Sequence, residues 1–274
     1  MVVPSATHSA RGSTLPKGAF MLFSSGLVSY LAEKYALVGT SFYALYVAGI
    51  VLCIVIPYLL GSLNFAILIS KIVYKEDIRS FGSGNAGATN MLRTYGKGAA
   101  AATFAGDILK TVLAVLFGSL TLGYFLGGGC IAGFFAVLGH IFPIFSHFHG
   151  GKGVASAAAV AVLLNLNSLE GLLLIGILLL FFVVIVVGTK YVSLASVVTF
   201  LFYPLLQSKM NATYTVISAS GESEARPRGY LVFLALLTAA VIAVKHIPNL
   251  KRIRAGTESK ISFKKTNKKK IDSD

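Results

Sequence analysis

A glycine-rich polar stretch near residue 80 has the composition of a phosphate-binding loop. Residues 77–93, the first stretch, read DIRSFGSGNAGATNMLR. Successive backbone N–H groups in tight glycine turns form concave anion sites, and the alternative interpretation is a solvated loop. We predict a phosphate cradle because glycines, short polar side chains and arginines are so dense here. The candidate substrate-binding residues are Arg79, Gly82, Gly84, Asn85, Gly87, Thr89, Asn90 and Arg93, and Ser83 is a candidate catalytic residue.

The glycines at 82, 84 and 87 also have the G-x-G-x-x-G spacing of dinucleotide-binding folds. That spacing binds a pyrophosphate where a β-strand leads into a helix of a βαβ unit. Here it follows an apolar run of membrane-span length. We therefore interpret the glycines as a phosphate loop without a dinucleotide fold.

A second stretch combines histidines with a Gly-Gly-Lys-Gly run. Residues 139–153 read GHIFPIFSHFHGGKG. Such glycines let the backbone approach a ligand closely, but no Ser or Thr follows the lysine as a Walker A loop requires. Aromatic residues separate the histidines and no acid lies near them, so we predict no metal site. The candidate substrate-binding residues are His140, Gly150, Gly151, Lys152 and Gly153.

A third stretch, residues 245–258, reads KHIPNLKRIRAGTE. Basic residues after a span are typical of an anchor that binds anionic lipid, which accounts for the lysines of 264–270 but not for a His, an Asn and a Glu. Pro248 disfavours a helical conformation at the residue before it, so we expect the helix to kink or end there. The candidate catalytic residues are His246 and Asn249, and Arg252 and Glu258 are structural or of uncertain role.

Composition shows where these three stretches must lie. The chain has 274 residues, of which 55% are hydrophobic and 12% charged, with a net charge of +14 and a mean hydropathy of +0.78. A soluble domain carries about 25% charged residues. These values exclude a cytosolic enzyme, a disordered chain and a fibrous protein, and they predict an integral membrane protein.

Apolar runs then predict an all-α polytopic bundle of about seven transmembrane helices. Positive charge is uneven about these spans, because seventeen of the 24 Lys and Arg residues lie on one side. Cytoplasmic segments are enriched in Lys and Arg, so we place the N-terminus outside and the C-terminus in the cytoplasm. Residues 19–32 are short for a span and predict an interfacial or partly inserted segment. The predicted spans are 48–70, 98–117, 121–145, 153–166, 169–187, 191–206 and 229–244.

Two ionisable residues, Asp107 and Lys110, fall inside the second predicted span. Their spacing of three puts them on one helix face, and ionisable residues at membrane depth are costly and usually functional. One interpretation is that they pair with each other. The other is that Lys110 binds the anionic substrate, and we keep Lys110 among the substrate-binding candidates with Asp107 as structural or uncertain.

Together these motifs resemble the bacterial acyl-phosphate:glycerol-3-phosphate acyltransferases over about residues 46–262. His149 stands where that family usually has Lys, and Ser156 where it usually has Thr. The matching motifs are GS-x-x-x-A-x-x-x-SK (61–71), DIR-x-x-GSGN-x-G-x-TN-x-x-R (77–93), D-x-x-K (107–110), GH-x-FP-x-F-x-x-F-x-GGKGVA (139–155) and KH-x-x-N-x-x-R-x-x-x-G-x-E-x-K (245–260).

The resemblance implies an enzyme of the cytoplasmic (inner) membrane whose active site faces the cytoplasm. It implies transfer of a fatty acyl group from acyl phosphate to the sn-1 hydroxyl of glycerol 3-phosphate, without metal or cofactor, giving lysophosphatidic acid and phosphate. This is the first acylation of phospholipid synthesis. The partners implied are those two substrates and membrane lipids, with no nucleic acid. Residues 1–45 are then an N-terminal extension, 46–262 the acyltransferase domain and 263–274 a basic tail.

Acyl transfer from a mixed anhydride needs mainly positioning and charge neutralisation, and the group that takes the hydroxyl proton stays open. His246 is one candidate, and an oxygen of the acyl phosphate itself is the other. Two other function classes also stay open. An organophosphate transporter should show related halves, and none is visible. A lipid-binding scaffold would not need the first two stretches.

Overall fold

The computed structural model describes residues 17–123, 127–166, 168–210, 213–217, 223–227 and 229–261. The predicted basic tail 263–274 and the first sixteen residues lie outside this part of the chain. The helices are α1 (Lys17–Lys34), α2 (Gly39–Ser62), α3 (Phe65–Val73), α4 (Ala88–Tyr95), α5 (Lys97–Leu122), α6 (Gly128–Ile141), α7 (Val154–Asn165), α8 (Leu169–Thr189), α9 (Val192–Met210) and α10 (Gly229–Arg254).

One short β-hairpin departs from the all-α prediction. Strands β1 (Thr213–Ile217) and β2 (Ser223–Pro227) pair antiparallel in the connection between α9 and α10. The run TYTVI of β1 contains β-branched and aromatic residues, which favour strands. The sequence analysis did not predict this hairpin, and the other regular elements of the described residues are helices, in agreement with the all-α prediction.

The multi-pass membrane architecture is confirmed. Within the described residues, six helical segments are long and apolar enough to cross a membrane, the first of them Gly39–Val73. The helix α7 is also apolar but has only 12 residues. A span needs about 20 residues, so the predicted total of seven spans and the orientation of the termini stay predictions.

The first membrane segment is broken in its middle. The helix α2 ends at Ser62, and α3 begins at Phe65 with Asn64 as its N-cap. The Asn64 Oδ1 accepts a hydrogen bond from the backbone N–H of Ile67 at 3.1 Å. A side-chain cap of this kind starts a new helix, so the Leu63 carbonyl is left for another donor.

Close glycine contacts join α2, α5 and α6. A Cβ atom at Gly61 would overlap the backbone of Ala136, and one at Gly139 would overlap the carbonyl of Tyr58. Gly118 and Gly128 face each other in the same way between α5 and α6. Small residues let membrane helices approach to backbone contact, where van der Waals packing holds them.

The helix α10 runs farther than predicted. It continues through Pro248 to Arg254, with His246 and Asn249 both buried. Proline removes one backbone donor from a helix, but membrane helices tolerate this loss where neighbouring groups compensate. The helix therefore does not end at Pro248, and the two candidate catalytic residues share one continuous helix.

Candidate active site

The three polar stretches meet at one end of the helical bundle. Arg79 of the first stretch donates from Nη1 to the carbonyl of Ser146 in the second, at 3.2 Å. Arg93 of the first stretch reaches the carbonyl of Ser259, just beyond the third, at 3.5 Å. The structure thus brings together segments that are as much as 166 residues apart in sequence.

The glycine loop of the first stretch is held in shape by Asn90. The Asn90 amide donates to the carbonyls of Ile78 and Phe81 at 3.2 and 2.9 Å, and its Oδ1 accepts from the Ser83 N–H at 3.0 Å. Gly82 has a φ of +58° and lies against this side chain. Asn90 is 1% exposed, and its hydrogen bonds hold the conformation of the loop.

The remaining candidates of this loop lie around the start of α4. Gly87 is the N-cap of α4. Thr89 and Ser83 are exposed, Asn85 is half-buried, and Gly84 has a φ of +70°. These residues are available to a ligand, and their predicted binding and catalytic roles stay predictions.

Arg79 is engaged by the protein on all three guanidinium nitrogens. Its Nε and Nη2 donate to the two carboxylate oxygens of Asp77 at 2.9 and 2.7 Å, and Nη1 donates to the carbonyls of Ser146 and His149. The hydrogen bonds from Arg79 lower the pKa of Asp77 to about 2. This arrangement makes Arg79 a link between the first two stretches, and direct contact with substrate stays a prediction.

Lys110 and Asp107 form a buried ion pair beside the helix break. Lys110 Nζ lies 2.8 Å from Asp107 Oδ1, 2.7 Å from the Leu63 carbonyl and 3.0 Å from His140 Nδ1. The Leu63 carbonyl and the imidazole are hydrogen-bond partners of the ammonium, and Asp107 is its ion-pair partner, with His140 Nδ1 also 3.4 Å from Asp107 Oδ1. The structure thus has the arrangement in which Lys110 and Asp107 pair with each other, and the predicted binding of substrate by Lys110 stays a prediction.

The Gly-Gly-Lys-Gly run packs directly on His140. The Gly151 N–H donates to the His140 carbonyl at 3.1 Å, and a side chain at Gly151 would overlap the imidazole at Nε2. Gly150 lies against Pro143 and the same carbonyl, and Gly153 has a φ of +77°. These glycines are thus required by close approach, and they place Lys152 between two tight backbone contacts.

Lys152 is half-buried and has no ion-pair or hydrogen-bond partner among the described residues. Burial lowers its pKa to about 8, with Arg252 and Arg93 acting in the same direction and Glu258 against it. Groups from all three stretches therefore share one electrostatic environment. Three cations around a single carboxylate form a site suited to an anion.

Glu258 organises the third stretch. Its Oε1 accepts from Asn249 Nδ2 at 2.6 Å and from Ser193 Oγ at 2.9 Å, and its Oε2 accepts from Arg252 Nε at 2.8 Å. Burial opposes ionisation of Glu258, but these hydrogen bonds outweigh it and lower its pKa. Ser193, at the start of α9, was missed by the sequence analysis because it stands outside any motif.

His246 is 2% exposed and has a defined ring orientation. Its Nδ1 lies 2.8 Å from the carbonyl of Ile242. A carbonyl only accepts, so Nδ1 donates and Nε2 of the neutral ring carries the lone pair. This is the form that accepts a proton. Within the described residues no group of three His, Cys, Asp or Glu side chains could hold a metal ion.

Comparison with known proteins identifies the family of the chain. The profile of the glycerol-3-phosphate acyltransferase family matches residues 51–256, which contain nearly the whole of the three stretches. The chain belongs to that family. It is therefore an integral membrane acyltransferase, as the sequence motifs predicted.

Two curated relatives are glycerol-3-phosphate acyltransferases. That of Thermoanaerobacter pseudethanolicus is 40% identical over 215 residues, covering 78% of this chain and 96% of the relative. That of Coxiella burnetii is 39% identical over 217 residues, covering 78% and 98%.

Solved structures of the family share the fold. The crystal structure of PlsY, an integral membrane glycerol 3-phosphate acyltransferase, in its glycerol 3-phosphate form has a TM-score of 0.64 and 30% identity, covering 78% of this chain and 96% of that chain. The lysophosphatidic acid form has a TM-score of 0.62.

Proposed function

We propose that this acyltransferase moves a fatty acyl group from acyl phosphate to the sn-1 hydroxyl of glycerol 3-phosphate, giving lysophosphatidic acid and phosphate. The observation that carries the proposal is Lys152, a half-buried cation without a carboxylate partner among the described residues. Both proposed substrates bear phosphate. A phosphate bound at Lys152 would supply the missing counter-charge, with Arg93 and Arg252 close by.

The site also lies where a lipid substrate can reach it. The helix α3 has nine residues, so the Leu63 break lies about 14 Å inward from the end of the first membrane segment. Asn64 donates to the Ala86 carbonyl at 3.2 Å, which brings the first stretch down to that level. A phosphate at this depth would leave its acyl chain among the helices, where apolar surface is favourable.

The acceptor hydroxyl has a candidate base in His246, whose Nε2 carries a lone pair. An oxygen of the acyl phosphate remains the alternative. In either case the hydroxyl attacks the acyl carbon, the bond to the phosphate oxygen breaks, and phosphate leaves with the electron pair. Ser83 and Asn249 are proposed to orient the reacting groups, since Ser83 is exposed at the loop and the Asn249 amide is anchored by Glu258.

Positive charge supports a cytoplasmic site in the bacterial inner membrane. In the predicted topology, the three stretches lie on the side that contains seventeen of the 24 Lys and Arg residues. We propose that this side faces the cytoplasm and that α7 completes a seven-span bundle. We also keep residues 46–262 as the acyltransferase domain, with extensions at 1–45 and 263–274.

Purified full-length protein in lipid vesicles tests the donor and the acceptor position. Acyl phosphate, acyl-CoA and acyl-carrier protein are each supplied with glycerol 3-phosphate, and the product is analysed for the acylated position. We expect turnover only when acyl phosphate is the donor, and we expect acylation at the sn-1 position. Turnover with either thioester in place of acyl phosphate would contradict the proposal.

A matched pair of variants tests the site. Lys152→Ala should lower kcat/KM by about 10²-fold or more, because a charge-assisted contact in a shielded site is worth about 2–4 kcal/mol. Lys97→Ala, an exposed lysine at the start of α5, should change it little. Near-normal turnover in Lys152→Ala would exclude this lysine as the phosphate ligand.

A further inference from the structure

The connection between α6 and the Gly-Gly-Lys-Gly run contains two consecutive left-handed residues, neither of which is glycine. His147 has a φ of +54° and Phe148 has a φ of +60°. In L-amino acids this conformation places Cβ too close to a carbonyl oxygen, a contact that glycine avoids. A bulky residue in it is an outlier, and such strain persists only where surrounding contacts hold the backbone. Residues 146–149, the left-handed turn, therefore need such contacts.

The left-handed turn lies on the path that leads to Lys152. The Phe148 N–H donates to the Pro143 carbonyl at 2.9 Å, which closes the connection on its outward side. The chain then returns to α6, where the Gly151 N–H donates to the His140 carbonyl at 3.1 Å, and Lys152 follows directly. The left-handed residues lie between these two backbone contacts, so their conformation sets the course of the chain into Lys152.

A single guanidinium nitrogen contacts the turn on both sides of its left-handed pair. Arg79 Nη1 lies 3.2 Å from the carbonyl oxygen of Ser146 and 3.4 Å from that of His149. These are the residues immediately before and after the pair. A guanidinium is always charged, and hydrogen bonds from a charged donor are stronger than neutral ones. One side chain thus joins the two ends of the strained step.

Asp77 directs this guanidinium toward the turn. Arg79 Nε and Nη2 donate to the two carboxylate oxygens of Asp77 at 2.9 and 2.7 Å, and the Arg79 backbone N–H donates to Asp77 Oδ1 at 3.0 Å. Two parallel hydrogen bonds fix the plane of a guanidinium. Nη1 is the nitrogen outside this pairing, and both of its contacts are carbonyls of the turn.

We propose that Arg79 is a positioning residue, which holds the left-handed turn and thereby places Lys152. The sequence analysis expected Arg79 to bind substrate, whereas this role is exerted on the backbone of the second stretch. The consequence for the reaction rests on the proposed function, in which Lys152 binds the phosphate. The hold of Arg79 on the turn does not depend on it.

Glycine and alanine at position 148 distinguish positioning from direct phosphate binding. Both replacements remove the Phe148 ring, which is 55% exposed, but only glycine adopts the left-handed conformation without steric cost. Arg79→Ala should lower kcat/KM by about 10²-fold. Adding Phe148→Gly should recover about tenfold of that loss, the equilibrium factor of the left-handed penalty, and adding Phe148→Ala should recover none. Equal kcat/KM in the two double variants would overturn the proposal, because glycine cannot replace a phosphate ligand.

Hydrogen exchange of the full chain in lipid vesicles examines the turn without substrate. Mass spectrometry follows the backbone amides of 140–153, with those of α5 as the internal reference. Arg79→Ala should accelerate exchange in 140–153 and leave α5 unchanged. Arg93→Ala is the matched control, because Arg93 contacts the carbonyl of Ser259 and not the turn, and exchange in 140–153 should stay at the wild-type rate. Wild-type exchange in Arg79→Ala would refute the hold on the turn.

A double-mutant cycle tests whether the effect passes through Lys152. If Arg79 acts by placing this lysine, Arg79→Ala combined with Lys152→Ala should lose only a few-fold more kcat/KM than Lys152→Ala alone, because coupled residues are not additive. Losses that multiply to about 10⁴-fold would overturn the route through Lys152. Faster exchange in Arg79→Ala, together with no turnover of acyl phosphate by wild type, would instead refute the proposed function and support the hold on the turn.

Discussion

The pH dependence of substrate binding should report the charge of Lys152. Burial lowers the pKa of this lysine to about 8, from 10.5 in an exposed lysine. As the pH rises through 8, the ammonium loses its proton and the phosphate loses its counter-charge. At pH 9 about one ammonium in eleven stays protonated, so KM for glycerol 3-phosphate should be about tenfold higher than at pH 7.

Ionisation of the substrate does not contribute to this pH dependence of KM. The second pKa of a phosphate monoester is about 6, so glycerol 3-phosphate stays dianionic between pH 7.5 and 9.5. KM is obtained from phosphate release by the purified protein in vesicles across that range. The rise belongs to the free enzyme, because bound phosphate stabilises the ammonium and raises its pKa.

Lys152→Arg is the matched control, because an arginine pKa exceeds about 12. Its KM should be higher than the wild-type value at pH 7.5 but independent of pH up to 9.5. A wild-type KM that is constant from pH 7.5 to 9.5 would refute the argument. So would an equal rise in Lys152→Arg, because another group would then be titrating.

Two further predictions rest on the geometry of the site, and two more rest on the sequence. Lys152→Met should abolish phosphate binding. It should also raise the free energy of unfolding by about 3 kcal/mol below pH 8, because folding lowers the pKa of the wild-type lysine from 10.5 to about 8. Measured by thermal unfolding, this gain in stability should vanish near pH 10.5. Arg79→Ala should lower turnover by about 10²-fold, and Arg79→Lys should not restore it, because lysine cannot bind both Asp77 oxygens and two carbonyls at once; phosphate release measures this. Cysteines introduced at Ser80 and Glu222 should react with impermeant thiol reagents from opposite sides of the membrane. A variant that lacks residues 264–274 should retain at least half of the wild-type activity.

The sequence predicted the membrane class and the family. These properties depend on composition and on motif residues that lie close together in sequence. Gly151 is an example of such a motif residue, since a side chain there would overlap His140. The need for a residue without a side chain can be recognised in the sequence as a glycine within one short motif.

The roles of individual polar residues were less predictable. Asn90 and Lys110 have the residue types of phosphate ligands, but their donors are used by carbonyls of Ile78 and Leu63. Those carbonyls are free only because of the loop and the helix break, which are set by tertiary packing. Ser193 was missed for the same reason, because its partner Glu258 is 65 residues away.

The glycine contacts between α2, α5 and α6 have a mechanical consequence. Those three helices pack closely, and His140 lies on one of them, whereas His246 and Ser193 are carried by α10 and α9. The reaction site is therefore assembled from several transmembrane helices, which an apolar core joins between α6, α9 and α10. Membrane thickness changes the tilt of transmembrane helices, so it should change the separation of the two histidines. The lipid environment thereby becomes a variable of the chemistry, separate from its role as solvent for the acyl chain.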